Sequence, residues 1–317
     1  MADQRPIVVL GGTGWTGRHV TAAFAGAGHE VISVSRGSGP PPVTGRCASL
    51  DLVTTPVPEL AARFRQWNPA TVVNASGTLW GATETEMRES FVTATRNVLR
   101  AIEAVPGRPR FIQLGTVMEY GPSTPHGIFD ERLTARPTGP YGRTKLAATR
   151  LVVDATVTGR VDGLVLRLVN AAGPGTPRPS LLGLVADRLR AAAEAGTEAV
   201  VELTPLTAHR DYIDIRDAAD AVVAAAESPQ RGRIVNVGTG RAVPVRWLVD
   251  TLIAMSGVPG RVVEKAPPPG QSASTGAGGE WLQIDPRTAT DLLGWTARRS
   301  LDEALRDHWR EVVPAAV

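Results

Sequence analysis

Cysteine occurs once in the 317 residues, at Cys47, so no internal disulfide can form and no cysteine cluster can hold a metal. The five histidines, His19, His29, His126, His209 and His308, never fall at a paired ligand spacing. No apolar stretch reaches the roughly 18 residues that a membrane span requires. The start, Met1 to Pro6, is polar and runs into a short apolar strand without the character of a leader. A surplus of one charge is missing too: 34 basic against 31 acidic side chains, scattered along the chain, leave +3. That makes nucleic acid an unexpected partner. With a hydrophobic fraction of 43%, these absences lead us to expect a soluble, cytoplasmic globular protein with a full core and no metal.

Lysine is nearly absent as well. Lys145 and Lys265 stand against 32 arginines, so a lysine needs a reason. Lys145 follows Tyr141, one of only three tyrosines, by four residues in Tyr141-Gly142-Arg143-Thr144-Lys145. On a helix that spacing puts phenol and ammonium on one face. An arginine fork is always charged, whereas an ammonium is a compact point charge that can sit beside a phenol and favour phenolate. The pair therefore reads as a tuned proton donor, with an accidental surface pair as the plain alternative.

Short β-branched runs alternate with alanine-rich amphipathic segments from Ile7 to about Leu168, the rhythm of βα units closing into a parallel sheet. Expected strands are Ile7–Leu10, Glu30–Ser35, Thr71–Asn74, Arg110–Gly115 and Gly163–Leu168. Expected helices are Thr16–Ala27, Pro58–Trp67, Glu84–Val105, Tyr141–Thr158 and Leu181–Ala195. After Asn170 the breakers Gly173-Pro174-Gly175-Thr176-Pro177 and Pro179 change the rhythm. The fold expected is an α/β Rossmann-type doubly wound sheet over 1–170, with part of 208–240 returning to it. A smaller, mostly C-terminal α/β substrate lobe would fill 171–317. Ala266–Gly279 reads as a flexible connection or as a lid over a ligand.

Gly11-Gly12-Thr13-Gly14-Trp15-Thr16-Gly17 closes the first strand and opens the first helix, with glycines at 11, 14 and 17. Such a loop lets backbone approach a pyrophosphate, and the helix N-terminus attracts it. Its place at the start of a βα unit is what a dinucleotide site demands; a structural glycine turn is the alternative. At the tip of the second strand, Val34-Ser35-Arg36-Gly37-Ser38 offers no carboxylate for ribose hydroxyls but a basic residue with flanking hydroxyls. That favours NADP(H), unless Arg36 is simply exposed. Asp51 and Leu52 would meet the adenine ring.

With these residues in view the chain resembles the extended short-chain dehydrogenase/reductase family of sugar-nucleotide epimerases, dehydratases and reductases. The marks are the Gly11/Gly14/Gly17 loop, Asn74-Ala75-Ser76-Gly77, Thr116 in Gln113-Leu114-Gly115-Thr116-Val117-Met118-Glu119-Tyr120-Gly121, and the Tyr141/Lys145 pair. Leu166-Arg167-Leu168-Val169-Asn170 with Gly173-Pro174, Arg210-Asp211-Tyr212-Ile213, and Leu292-Leu293-Gly294-Trp295 complete them. The resemblance implies a triad in which Tyr141 passes a proton to a carbonyl oxygen and Lys145 holds the nicotinamide ribose and lowers the phenol's pKa. Thr116, where serine is more common, would bind the same oxygen; a capping hydroxyl is its plainer role. It places Asn74, Ala75 and Ser76 beside the cofactor, and gives Asn170 and Arg210 the phosphates of a nucleotide sugar, with Thr116 and Met118 near the sugar. For Arg210 a salt bridge is the alternative.

Dehydratases of this family carry an acidic pair directly after the threonine, where this chain has Val117 and Met118. Glu119 stands where the family usually has an apolar residue. The expectation is therefore an NADPH-dependent ketoreductase of a nucleotide-linked ketosugar, a dTDP-4-keto-6-deoxyhexose. The arginine and alanine excess resembles a high-GC bacterium, where such enzymes serve deoxysugar pathways of secondary metabolism. An epimerase with the same triad, a reductase of a non-sugar ketone and a non-catalytic NADP(H) sensor are the rival readings. The resemblance also implies a homodimer through Glu84–Val105 and Tyr141–Thr158, unless Phe91, Val98 and Leu99 face the chain's own sheet.

Overall fold

Residues 5–37, 45–124, 126–266 and 280–313 are described by the computed structural model. In chain order come β1 (Ile7–Leu10), α1 (Trp15–Gly26), β2 (Val31–Ser35), β3 (Arg46–Ser49), α2 (Val57–Trp67) and β4 (Thr71–Asn74). Next are α3 (Glu84–Arg88), a π-turn (Glu89–Thr93), α4 (Ala94–Glu103) and β5 (Arg110–Thr116). A 3-10 turn (Val117–Glu119) and β6 (Ile128–Phe129) precede α5 (Pro140–Val157), β7 (Asp162–Leu168), β8 (Asn170–Ala172) and α6 (Leu181–Ala195). The remainder is β9 (Ala199–Leu203), β10 (His209–Asp214), α7 (Ile215–Glu227), β11 (Ile234–Val237), β12 (Ala242–Pro244) and α8 (Val245–Ser256). It ends with β13 (Gly260–Glu264), β14 (Trp281–Ile284), α9 (Arg287–Leu293) and α10 (Leu301–Val312).

Seven parallel strands form the large sheet in the order β11-β7-β5-β4-β1-β2-β3. The order reverses between β1 and β4, and a crevice opens at such a reversal beyond the C-terminal ends of the strands. Strands such as Ile7-Val8-Val9-Leu10 are buried on both faces because helices cover both sides of a parallel sheet. One face carries Val20 and Phe24 of α1 with Ala218 and Val222 of α7. The other carries Leu60 and Phe64 of α2, Val98 and Ile102 of α4 and Val152 of α5. Ile234–Val237 is thus a large-sheet strand even though it follows β10 in the chain.

The smaller structure combines a mixed sheet, β12-β10-β14-β6 with β8 beside β10, and a β13-β9 pair. A third apolar cluster, with Leu182 and Leu189 of α6, Leu248 and Leu252 of α8 and Leu305 of α10, fills it. Among the described residues no helix is long and apolar enough to cross a membrane, and no cluster of metal-ligating side chains occurs.

One expected element is corrected. Glu84–Val105 is not a continuous α-helix: it winds into the π-turn at Glu89–Thr93 between α3 and α4. The Thr95 hydroxyl donates to the Phe91 carbonyl at 2.6 Å, so the loosened turn keeps a partner for that oxygen. Phe91, Val98 and Leu99 are all buried within the chain.

Candidate active site

The crevice beyond β1, β2 and β4 is a cleft of about 310 Å³ lined by Gly11, Thr13, Gly14, Ser35, Arg36, Asp51, Leu52, Ala75 and Ser76, among others. It gathers most of the residues expected at the cofactor. Fit to a dinucleotide rests on the glycines. Gly11 has φ +77, and a Cβ there would lie 2.8 Å from the Ala75 carbonyl oxygen; one on Gly17 would lie 2.0 Å from the Gly11 carbonyl oxygen. Side chains at these places would fill the cradle or push α1 from the loop. Gly17 is thus a packing residue behind the cradle. Trp15 turns away from it, its Nε1 donating to the Pro174 carbonyl at 2.7 Å, and Thr16 does not line the cleft.

At the tip of β2, the Arg36 guanidinium reaches the Thr78 hydroxyl at 3.3 Å and remains exposed. Ser38 lies outside the described residues, as do residues 267–279 of the Ala266–Gly279 stretch. Asp51 accepts the Val53 and Thr54 amides at 2.7 and 3.2 Å. Burial alone would raise its carboxyl, but these amides and the Arg36 charge hold it below the usual range. Asn74 is buried: its amide donates to Thr95 Oγ1 and Gln113 Oε1, while its Oδ1 accepts the Ser76 amide and hydroxyl. It shapes the Ala75-Ser76 wall from within.

Tyr141 and Lys145 lie in the first two turns of α5, which begins at Pro140 after a Gly139 N-cap, as the fixed φ of proline favours. Thr116 ends β5 with its side chain close enough to the Tyr141 phenol to favour the ionised form. Thr116 and Tyr141 are therefore neighbours, and Lys145 follows one turn later on the same face of α5. Lys145 is buried; its Nζ donates to the Leu114 carbonyl and stands 4.8 Å from the centre of the Phe91 ring. That ring meets Tyr141 edge-on, with centroids 5.6 Å apart.

The electrostatics depart from the expectation of a phenol lowered by lysine. Burial, then the Glu119 carboxylate, push the phenol up to about 12, with only the neighbouring Thr116 opposing. Burial brings Lys145 down to about 8, and Glu119 partly restores it. As the protein stands, Tyr141 is a protonated donor and its lysine is bonded to backbone.

Beyond Thr116, Val117 is buried and the Met118 amide donates to the Thr116 hydroxyl at 3.3 Å. Asn170 pairs with Tyr212 in the parallel β8-β10 register. Alternation along β10 then puts Asn170, Tyr212 and Arg210 on one sheet face. Arg210 is largely buried and donates to the His209 carbonyl at 3.0 Å.

Phe91, Glu119 and Arg167 are the neighbours that sequence reasoning left without a role. Phe91 carried no local signal, since the π-turn sets its direction. Glu119 did: Thr116-Val117-Met118-Glu119 has capping-box spacing, and the reciprocal bonds are present.

Residues 7–238 match the profile described as the NAD dependent epimerase/dehydratase family. The chain is 43% identical over 303 residues to a dTDP-6-deoxy-L-talose 4-dehydrogenase (NAD(P)(+)) of Kitasatospora kifunensis, covering 96% of this chain and 94% of that protein. The solved structure of MoeE5 with UDP-glucuronic acid and NAD superposes with a TM-score of 0.81 at 25% identity, covering 96% and 98% of the two chains. RMD from Pseudomonas aeruginosa, complexed with NADPH, shares the fold with a TM-score of 0.81 at 19% identity over 97% and 99%.

Proposed function

Because the chain belongs to the NAD dependent epimerase/dehydratase family, we propose that it is an NADPH-dependent ketoreductase of a nucleotide-linked keto-deoxysugar, a dTDP-4-keto-6-deoxyhexose. The observation that carries the reading is that Tyr141, with Thr116 beside it, and Lys145 share the Phe91 ring, which packs on Gly77 in the wall of a glycine-cradled cleft. The dehydrogenation named for the Kitasatospora relative is, run backwards, reduction of a 4-keto sugar.

Gly11, Thr13, Gly14, Ala75 and Ser76 would hold the cofactor's phosphates and ribose, and Ser35 with Arg36 its 2′-phosphate. Bound there, the reduced nicotinamide supplies a hydride to the carbonyl carbon. The chain's own part is at the oxygen. As the C=O π bond breaks, Tyr141 gives its phenolic proton to that oxygen, and Thr116 hydrogen-bonds it while charge develops. Lys145 would exchange the Leu114 carbonyl for the nicotinamide ribose and, from there, ease the return of a proton to Tyr141. Asn170 and Arg210, on one sheet face, would take the sugar nucleotide's phosphates. Removing water needs a free acid next to Thr116; Glu119 is fully buried and ion-paired, which supports reduction over dehydration.

An epimerase with the same triad is the second reading, favoured by the NAD bound in MoeE5. A cytoplasmic homodimer in a deoxysugar pathway belongs to our reading as well. Since Phe91, Val98 and Leu99 are buried within the chain, its interface would use other side chains.

The test is the loss of nicotinamide absorbance with NADPH or NADH, with and without dTDP-4-keto-6-deoxyglucose. Substrate-dependent oxidation, faster with NADPH and abolished in Tyr141→Phe while cofactor binding persists, is expected. No oxidation with either cofactor would overturn the reductase reading.

A further inference from the structure

Glu119 is fully buried, yet it is a carboxylate with three partners from three elements. Its Oε1 accepts the Thr116 backbone amide at 3.0 Å and the Thr149 hydroxyl of α5 at 3.1 Å. Its Oε2 receives Arg167 Nε of β7 at 2.9 Å. Thr149 lies four residues beyond Lys145 and eight beyond Tyr141, on the same helical stripe. The opposite partner is equally fixed: Arg167 is 2% exposed, and its guanidinium stands 4.4 Å from the centre of the Tyr120 ring. The Tyr120 hydroxyl donates to Asn236 at 2.9 Å. Room for the carboxylate depends on Gly115, where a Cβ would come within 2.6 Å of Glu119 Oε1.

We propose that Glu119, clamped by Arg167, is a positioning residue that locks Thr116 to the Tyr141–Lys145 face of α5 and sets the charge around both reacting groups. The inference rests on the reading of Thr116, Tyr141 and Lys145 as the reacting triad. A buried ion pair is weak support for stability, because desolvation of both ions offsets their attraction. The pair's placement between three elements gives it another use. Glu119 is the charged group that acts on both Tyr141 and Lys145, favouring the neutral phenol and the ammonium. Of the other charges on elements packed against this end of α5, Arg167 is taken up by Glu119, and Glu84 of α3 pairs with Arg143 at the exposed rim.

The scarcity of lysine supplies a direct measurement. With isotope-labelled lysine the full-length protein gives two side-chain signals in NMR, from buried Lys145 and exposed Lys265, the second serving as an internal reference. Two pair variants avoid orphaning an ion: Glu119→Val with Arg167→Met removes tie and charge, and Glu119→Gln with Arg167→Met keeps acceptors for Thr116 and Thr149. Both should move the Lys145 midpoint down by about one pH unit or more, leaving Lys265 in place. The valine pair should lose roughly ten- to a hundredfold in kcat with little change in the sugar's KM, and the glutamine pair should recover part of that loss.

A folded valine pair whose kcat stays within about twofold of the parent overturns the positioning role, whatever the titration gives. If the parent is inactive on nucleotide-linked ketosugars, the reductase reading fails separately. The titration then decides, and an unmoved Lys145 midpoint overturns the proposal. If neither pair variant folds, Thr149→Val removes one of the ties with little change of shape, and an unchanged kcat there overturns it.

Discussion

Trp15 and Pro174, 159 residues apart in sequence, are joined by a 2.7 Å hydrogen bond from the indole Nε1 to the proline carbonyl. His19 Nε2 donates to the same oxygen at 3.0 Å, and Arg18 reaches the Gly175 carbonyl at 3.3 Å. The helix that follows the glycine loop thus holds the glycine- and proline-rich turn after β8. Burial, ahead of its other influences, lowers the His19 pKa. The neutral ring can still make this bond with the proton on Nε2.

Trp15→Phe keeps the ring and deletes the donor. We expect a loss of about 1 kcal/mol of stability and a several-fold rise in the sugar's KM, with the cofactor's KM little changed. Thermal denaturation and steady-state kinetics check both. A cofactor KM that rises instead would assign Trp15 to the cradle.

Arg36 is the positive charge in the cleft at the tip of β2. Arg36→Ala should cut the NADPH-over-NADH ratio of kcat/KM roughly tenfold or more, since hydrogen bonds to charged groups contribute about 1.5–3 kcal/mol. NADH turnover should hardly change. An unaltered ratio would make the guanidinium merely a partner of Thr78.

Asp211 gives a pH signature. It is fully buried and accepts the Thr239 amide and hydroxyl and the Gly240 amide at 3.0, 2.7 and 2.8 Å. Burial nevertheless outweighs these bonds and raises its carboxyl from 3.8 to about 6. A folded pKa above the unfolded one means stability that is fully present below about pH 4 and lost as pH rises through about 6, on the order of 2 kcal/mol. Melting temperatures between those limits should show this fall superimposed on the behaviour of other groups. Asp211→Asn should flatten it, and an identical slope in the variant would refute the assignment.

Sequence and structure agree where local pattern and burial coincide. Ile7–Leu10, Thr71–Asn74 and Leu181–Ala195 have the expected bounds, because continuous apolar runs or a serine-capped amphipathic stretch admit few alternatives. The Tyr141/Lys145 pair was legible for the same reason: one helix fixes its geometry. Long-range relationships were not. Nothing local announces that Trp15 turns toward Pro174, that Asn74 faces inward to Thr95 and Gln113, or that Arg167 meets Glu119. Those partners are chosen by strand order, and an isolated βα unit does not specify it.

The π-turn at Glu89–Thr93 carries one residue more than an α-helical turn would use, and a single extra residue advances the helical phase by about 100°. Residues 84–88 and 94–103 therefore belong to two stripes out of step with each other. Phe91, at the slip, is the side chain delivered to Tyr141 and Lys145. A chain lacking that extra residue would rotate one of these segments against α5 and present a different surface beneath the lysine. Relatives with equal fold and equal triad can thus differ in the floor of the site through the length of one turn.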